Sequence, residues 1–107
     1  MRIRIIRQTS SRIPDVIIAG EFESLKAAVE QNKHDMKDAY LKGADLKEAD
    51  LSNGDFRGAD LEYADLREAD CQKADFSYAC LRGAIFFGVN AEYAKFIEAD
   101  LRFAKMG

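Results

Sequence analysis

The stretch GADLEYADLREAD, residues 58–70, carries Ala-Asp-Leu twice and opens it a third time, at intervals of five residues. No common secondary structure has that period. An α-helix turns ~100° per residue, so five residues advance it by about 140° and scatter successive leucines around the whole cylinder. A straight strand sends side chains alternately to its two faces, so leucines five apart would point in opposite directions. The period must therefore contain a bend. Alanine and leucine, two apart, share one face of a short extended piece, and the remaining residues turn the corner.

Working outward, one frame holds from residue 39 to the last residues of the chain. Its central position carries Leu41, Leu46, Leu51, Phe56, Leu61, Leu66, Cys71, Phe76, Leu81, Phe86, Ala91, Phe96, Leu101 and Met106, all apolar. Two residues before each centre stands a small side chain: twelve alanines, Gly54 and Val89. Between these columns lies an unbroken acidic column, Asp45, Asp50, Asp55, Asp60, Asp65, Asp70 and Asp75, which resumes at Asp100. A longer period is superimposed, since Leu41, Leu61, Leu81 and Leu101 are spaced by twenty, as are Phe56, Phe76 and Phe96. Four repeats thus make one coil, which stacks like residues on the next coil at roughly 4.8 Å.

This pattern resembles the pentapeptide-repeat family, whose motif is Ala-(Asp/Asn)-Leu-x-x. The resemblance implies an all-β fold, a right-handed quadrilateral parallel β-helix of about 3.5 coils, with the centre and the small residue inward and the other three positions outward. The frame weakens in the third coil, where Cys80, Ile85, Asn90 and Lys95 replace aspartate and Val89 replaces alanine. A looser or specialised coil is expected there.

Residues 1–37 lie outside the frame and read as an N-terminal cap, with residues 38–107 forming the β-helix. Ile3 and Ile5 alternate with Arg2 and Arg4, and Val16-Ile17-Ile18 follows the turn-rich QTSSRIPD, a pattern for a two-stranded hairpin. GEFESLKAAVEQNKH then supplies a short α-helix with Ser24 as N-cap. A solenoid end exposes unpaired backbone and a slice of core, so a cap with an apolar underside is required.

Composition narrows the functional classes. A chain of 107 residues with 48% apolar and 33% charged residues is one soluble domain. It has no secretory apolar run and no apolar span of roughly 20 residues, so a cytoplasmic protein without membrane contact is expected. A net charge of −3 argues against direct nucleic-acid binding. The two cysteines, Cys71 and Cys80, form no metal-binding spacing and read as reduced thiols, one a core centre and one outward. His34, the single histidine, falls at the end of the expected helix without a catalytic neighbour. No glycine-rich phosphate loop is present. A non-enzymatic protein with no catalytic residues, no metal and no cofactor is therefore expected.

Two outward features invite a functional reading. The acidic column could line a cation ladder, but aspartates beside tight turns more commonly accept local backbone hydrogen bonds. The second feature is apolar: Ile85, Phe87 and Ile97 occupy outward slots, with Tyr93, Phe103 and Met106 in the same C-terminal coils. Grouped exposed apolar residues mark contact surfaces, and the frame stops midway through a coil at Met106-Gly107. A homodimer through the C-terminal coils is expected, in which one patch meets its own copy. The leading reading is an interaction module for a protein partner of unknown identity.

The alternative follows from the resemblance, since several pentapeptide-repeat proteins are acidic rods that occupy the DNA-binding surface of DNA gyrase, a type II topoisomerase, and protect it. Residues 39–107 carry nine Lys/Arg and thirteen Asp/Glu, a net −4. At the strand spacing they span roughly 17 Å of rod, a length over which duplex DNA carries about ten charges. One chain is a weak mimic of a duplex. A dimer would double its length.

Overall fold

The computed structural model describes residues 1–8 and 15–107. Most of the expected hairpin turn, QTSSRIPD, lies outside the described residues. From residue 36 onward a single local device recurs. The Ala44 amide donates to the Leu41 carbonyl at 3.1 Å, and the same three-residue closure repeats at every frame position through Ala104 and Leu101. The third residue of each turn has positive φ, +70° at Gly43, which defines a type II turn. Ten of these corners carry a residue other than glycine, among them Glu48, Asn53, Tyr63 and Phe103. Such a backbone costs about 1–2 kcal/mol per residue. From Asp38 to Gly83 each corner amide is used by the next coil, as Tyr63 donates to the Arg82 carbonyl at 2.9 Å.

Between corners the chain is extended for a few residues and pairs in parallel with the residue twenty positions on: Asp45 with Asp65, Asp50 with Asp70, Asp55 with Asp75, and so on to Ile85 with Lys105. Four repeats therefore complete one coil. Centres from Leu41 to Phe86 and alanines from Ala39 to Ala84 are buried. The Phe56 and Phe76 rings stack 5.2 Å apart, and Phe76 and Phe96 5.4 Å apart. Glycine at 54 has a steric cause, since a Cβ there would run into the Phe56 ring and come within 2.9 Å of the Leu51 carbonyl oxygen.

The N-terminal segment forms β1 (Arg2–Arg7) and β2 (Asp15–Glu21), an antiparallel pair with a bulge between Ile5 and Ile6. Ile3 and Ile5 face the core. Next comes α1 (Leu25–Gln31), whose N-cap Ser24 accepts from the Ala27 amide at 3.0 Å and which buries Ala28 and Val29. A 3-10 turn, Lys33–Asp35, leads into the coils. β1 also pairs with the first coil, where the Tyr40 amide donates to the Ile6 carbonyl at 2.8 Å. One apolar core runs from Ile3 and Val29 through the coils to Phe86.

Two expectations need revision. The frame starts two residues upstream of 38: Met36 is a buried centre, its amide donates to the Asp55 carbonyl at 3.1 Å, and its carbonyl accepts from Ala39. The motif there, Met-Lys-Asp-Ala, has the right apolar centre and small residue but lacks a preceding alanine, which hides it. The third coil is also not loosened in its backbone. Cys80, Ile85, Asn90 and Lys95 donate to the coil before them at 2.9–3.1 Å, as the aspartates do. Backbone pairing is indifferent to the outward side chain.

Candidate functional site

The acidic column is built into the turns. Asp45, Asp50, Asp55, Asp60, Asp65, Asp70 and Asp75 each accept, through one carboxylate oxygen, the amide two residues on, at 2.9–3.2 Å. Asn90 and Asp100 do the same with Glu92 and Arg102. Asp and Asn have a short side chain whose oxygen reaches this amide, the geometry of an Asx turn. Arg57, Arg67 and Arg102 clamp the aspartate two before them through Nε and Nη2, at 2.7–2.9 Å. Arg57 and Arg67 hold the Asp55 and Asp65 carboxyls below the usual range, and Arg102 lowers Asp100 to about 2. At Asp50 the hydrogen bond from the Ser52 hydroxyl is the largest cause of the lowering, with Lys33 from the cap second, again to about 2. Much of the acidic column is thus engaged locally.

The nucleophiles and the base are dispersed. His34 is exposed in the 3-10 turn. Cys71 is a fully buried centre, and burial pushes its thiol up to about 12. Cys80 is half-buried, its Sγ 3.8 Å from Glu62 Oε2. The twenty-residue stacking brings Asp60, Glu62 and Cys80 together, with one donor atom from each within 4.8 Å of the others. Those three could hold a metal ion, a grouping that five-residue spacing does not suggest. The Lys42 ammonium already lies 3.8 Å from the other Glu62 oxygen and competes with any cation there.

The C-terminal coils carry the largest apolar exposure. Phe87, Tyr93, Ile97, Phe103 and Met106 are exposed, and Ile85 is half-buried. They do not form one lateral patch. Phe103 and Tyr93 occupy corners ten residues apart, half a coil, and therefore lie at opposite corners of the section; Ile85 and Phe87 share the side after the Phe103 corner, Ile97 the side after Tyr93. Phe87, Tyr93, Ile97 and Phe103 stand around the end of the rod, as its rim, whereas Ile85 lies one coil before Lys105 and Met106 belongs to the central column. Inside that rim lies a slice of core that outward-slot reasoning passes over: Phe96 is half-buried and Leu101 36% exposed, although both are centres. The signal was available, because a centre beyond residue 87 has no residue twenty positions later in this sequence. Arg82 also lies over the Phe103 ring, 5.5 Å from its centroid.

Comparisons with known proteins agree with this geometry. The family model for pentapeptide repeats, in eight copies, matches residues 35–70 and 55–90. A pentapeptide repeat protein, Rfr23, from the cyanobacterium Cyanothece 51142 is similar in structure, with a TM-score of 0.62 and 35% identity over 64% of this chain and 47% of its own. HetL from Nostoc sp. strain PCC 7120, a pentapeptide repeat protein involved in heterocyst differentiation regulation, shares 31% identity over 62% of this chain and 38% of its own, with a TM-score of 0.39. A pentapeptide repeat protein of the Arabidopsis thaliana thylakoid lumen shares 32% identity over 64% of this chain and 51% of its own, with a TM-score of 0.36. The chain thus spans about half the length, or less, of these structures. No curated protein matches its sequence. Pentapeptide repeat proteins form right-handed quadrilateral β-helices and are generally interaction modules, not enzymes.

Proposed function

The chain belongs to the pentapeptide-repeat family, and from that premise we propose that it is a non-catalytic interaction module acting through its C-terminal coils, with a second copy of the chain as the first occupant. One observation carries this reading: the C-terminal coils hold Phe87, Tyr93, Ile97 and Phe103 at outward positions, all exposed. Grouped exposed aromatic and aliphatic side chains mark a contact surface. A two-fold pairing of these coils buries both sets at once and closes the assembly without fibre growth.

Sedimentation over a wide concentration range tests it. The native chain is expected above monomer mass, with dissociation on dilution, and Leu101→Arg is expected to be monomeric while keeping its circular dichroism. A native chain that stays monomeric throughout removes the self-association reading. The gyrase-mimic alternative has less support, because Arg57, Arg67 and Arg102 neutralise aspartates that a DNA-like face would display. Its test is a supercoiling assay with excess protein.

A further inference from the structure

The N-terminal edge of the β-helix is closed unevenly. In each coil the residue between the small and the central position turns its amide toward the coil before, as Asp65 does to the Ala44 carbonyl at 2.9 Å. The first coil has four such amides. The cap receives Tyr40 at the Ile6 carbonyl, Asp50 at a Glu30 carboxylate oxygen and Asp55 at the Lys33 carbonyl, each at 2.8 Å. Asp45 alone finds no acceptor among the described residues, and its carbonyl receives no donor from them. One coil later the equivalent carbonyl, that of Asp65, accepts from Leu46 at 2.8 Å.

The cause is visible in the register. A preceding strand would place Ser24, Leu25 and Lys26 under residues 44–46, but Ser24 caps a helix and the chain turns away as α1. An open groove of about 610 Å³ remains, lined by Leu25 and Lys26 on one wall and by Lys42, Gly43, Ala44 and Lys47 on the other. Gly43 is an independent sign of open space. A Cβ on Gly58, Gly83 or Gly88 would meet the side chain twenty residues earlier, Asp38, Tyr63 or Glu68, whereas at Gly43 nothing lies within 4 Å.

The lining of the groove carries three lysines, Lys26, Lys42 and Lys47, against two acids, Asp45 and Glu48. The Lys26 ammonium rests on the Lys47 carbonyl at 3.3 Å, and neither Lys26 nor Lys47 is in a salt bridge among the described residues. The Asp45 carboxylate is turned to the Lys47 amide at 3.2 Å. We propose that this groove binds an extended peptide segment bearing acidic side chains, which adds as a strand to the backbone of Asp45. Such a strand accepts the Asp45 amide, donates to the Asp45 carbonyl and offers carboxylates to Lys26 and Lys47, so the backbone sets the extended form and the lysines set the charge. Apolar side chains alternating with the acidic ones rest on Leu25 and Ala44. The groove lies at the opposite end of the rod from the proposed self-association surface and does not depend on it.

The test is an amide titration of the full chain with the blocked heptapeptide acetyl-Thr-Val-Glu-Val-Asp-Val-Thr-amide. In the free protein the Asp45 amide is expected to exchange hydrogen faster than the Asp50 and Asp55 amides. With peptide, the Asp45, Leu46 and Lys47 resonances shift saturably with a Kd on the order of 0.1–1 mM, and Asp45 gains protection. Lys26→Glu combined with Lys47→Glu is expected to weaken binding at least about tenfold, with resonances of the later coils unchanged as proof of folding. Replacing the peptide acids by lysine, or N-methylating its valines, is expected to weaken it comparably. Absence of a saturable shift at Asp45, or equal binding of the acidic, lysine and N-methylated peptides, overturns the proposal.

Discussion

Leu81 and Leu101 are the same residue at the same place in the repeat, each two after an alanine and each followed by arginine. Leu81 is fully buried and Leu101 is 36% exposed. Phe76 and Phe96 differ in the same way: Phe76 lies between two stacked rings, whereas Phe96 stacks on Phe76 alone and meets Phe86 edge-on at 6.3 Å. In a solenoid, burial is decided by the residues one coil before and one coil after, so the repeat specifies direction inward and the neighbours specify enclosure. Both ends of this molecule are irregular for that reason. The first is covered in most places by a hairpin and a helix, and the centres of the last coil have no later coil among the described residues.

The sharpest way to break this comparison is in the aromatic stack. Phe76→Ala is expected to cost about 3–5 kcal/mol, the range for a fully enclosed phenylalanine, and Phe96→Ala about half of that or less, both read from urea denaturation. Equal costs would mean that the last coil is enclosed in solution, as in a self-associated form. A smaller effect is expected in the outward column. Asp65→Ala removes the bond to the Arg67 amide and both guanidinium contacts, a loss of about 1 kcal/mol. Asp100→Ala, at the more exposed end, should shift the midpoint less.

The smallest effect is the pH response, which separates the two ends. Asp50 and Asp100 are both lowered to about 2. A carboxylate whose folded pKa is depressed stabilises the fold above its unfolded value, near 4, and that contribution fades as pH falls toward about 2. Both groups are largely solvated, so the stability change is slight and the pKa values themselves, from a carboxyl NMR titration, are the better readout. Lys33→Ala is expected to raise the Asp50 pKa and leave Asp100 unmoved, because Lys33 belongs to the cap. A parallel shift of Asp100 would mean that the two ends are coupled through the rod.

Much of the architecture was legible because the repeat is a local code. Leucine five residues from leucine requires a corner, alanine two before it requires a close wall, and aspartate between them has a short acceptor to hold the corner. Met36 escaped because an isolated Met-Lys-Asp-Ala shows no period, and its hydrogen bonds to the Asp55 carbonyl and from the Ala39 amide place it in the coils. The grouping of Asp60, Glu62 and Cys80 escaped because it crosses coils. The rim residues were legible one by one, but their division between opposite corners follows only from counting half-coils.

The amino-acid sequence alone determined the inward columns, the twenty-residue coil, the turn role available to each aspartate and the need for a cap, because these depend on spacing along the chain and on side-chain size. Only the tertiary structure decided which centres are enclosed, where the cap fails to cover the first coil, and that the Asp45 amide and carbonyl find no partner among the described residues. Those depend on what stands one coil away, and where a strand would have continued the stack the chain becomes a helix, so periodicity has no neighbour to predict.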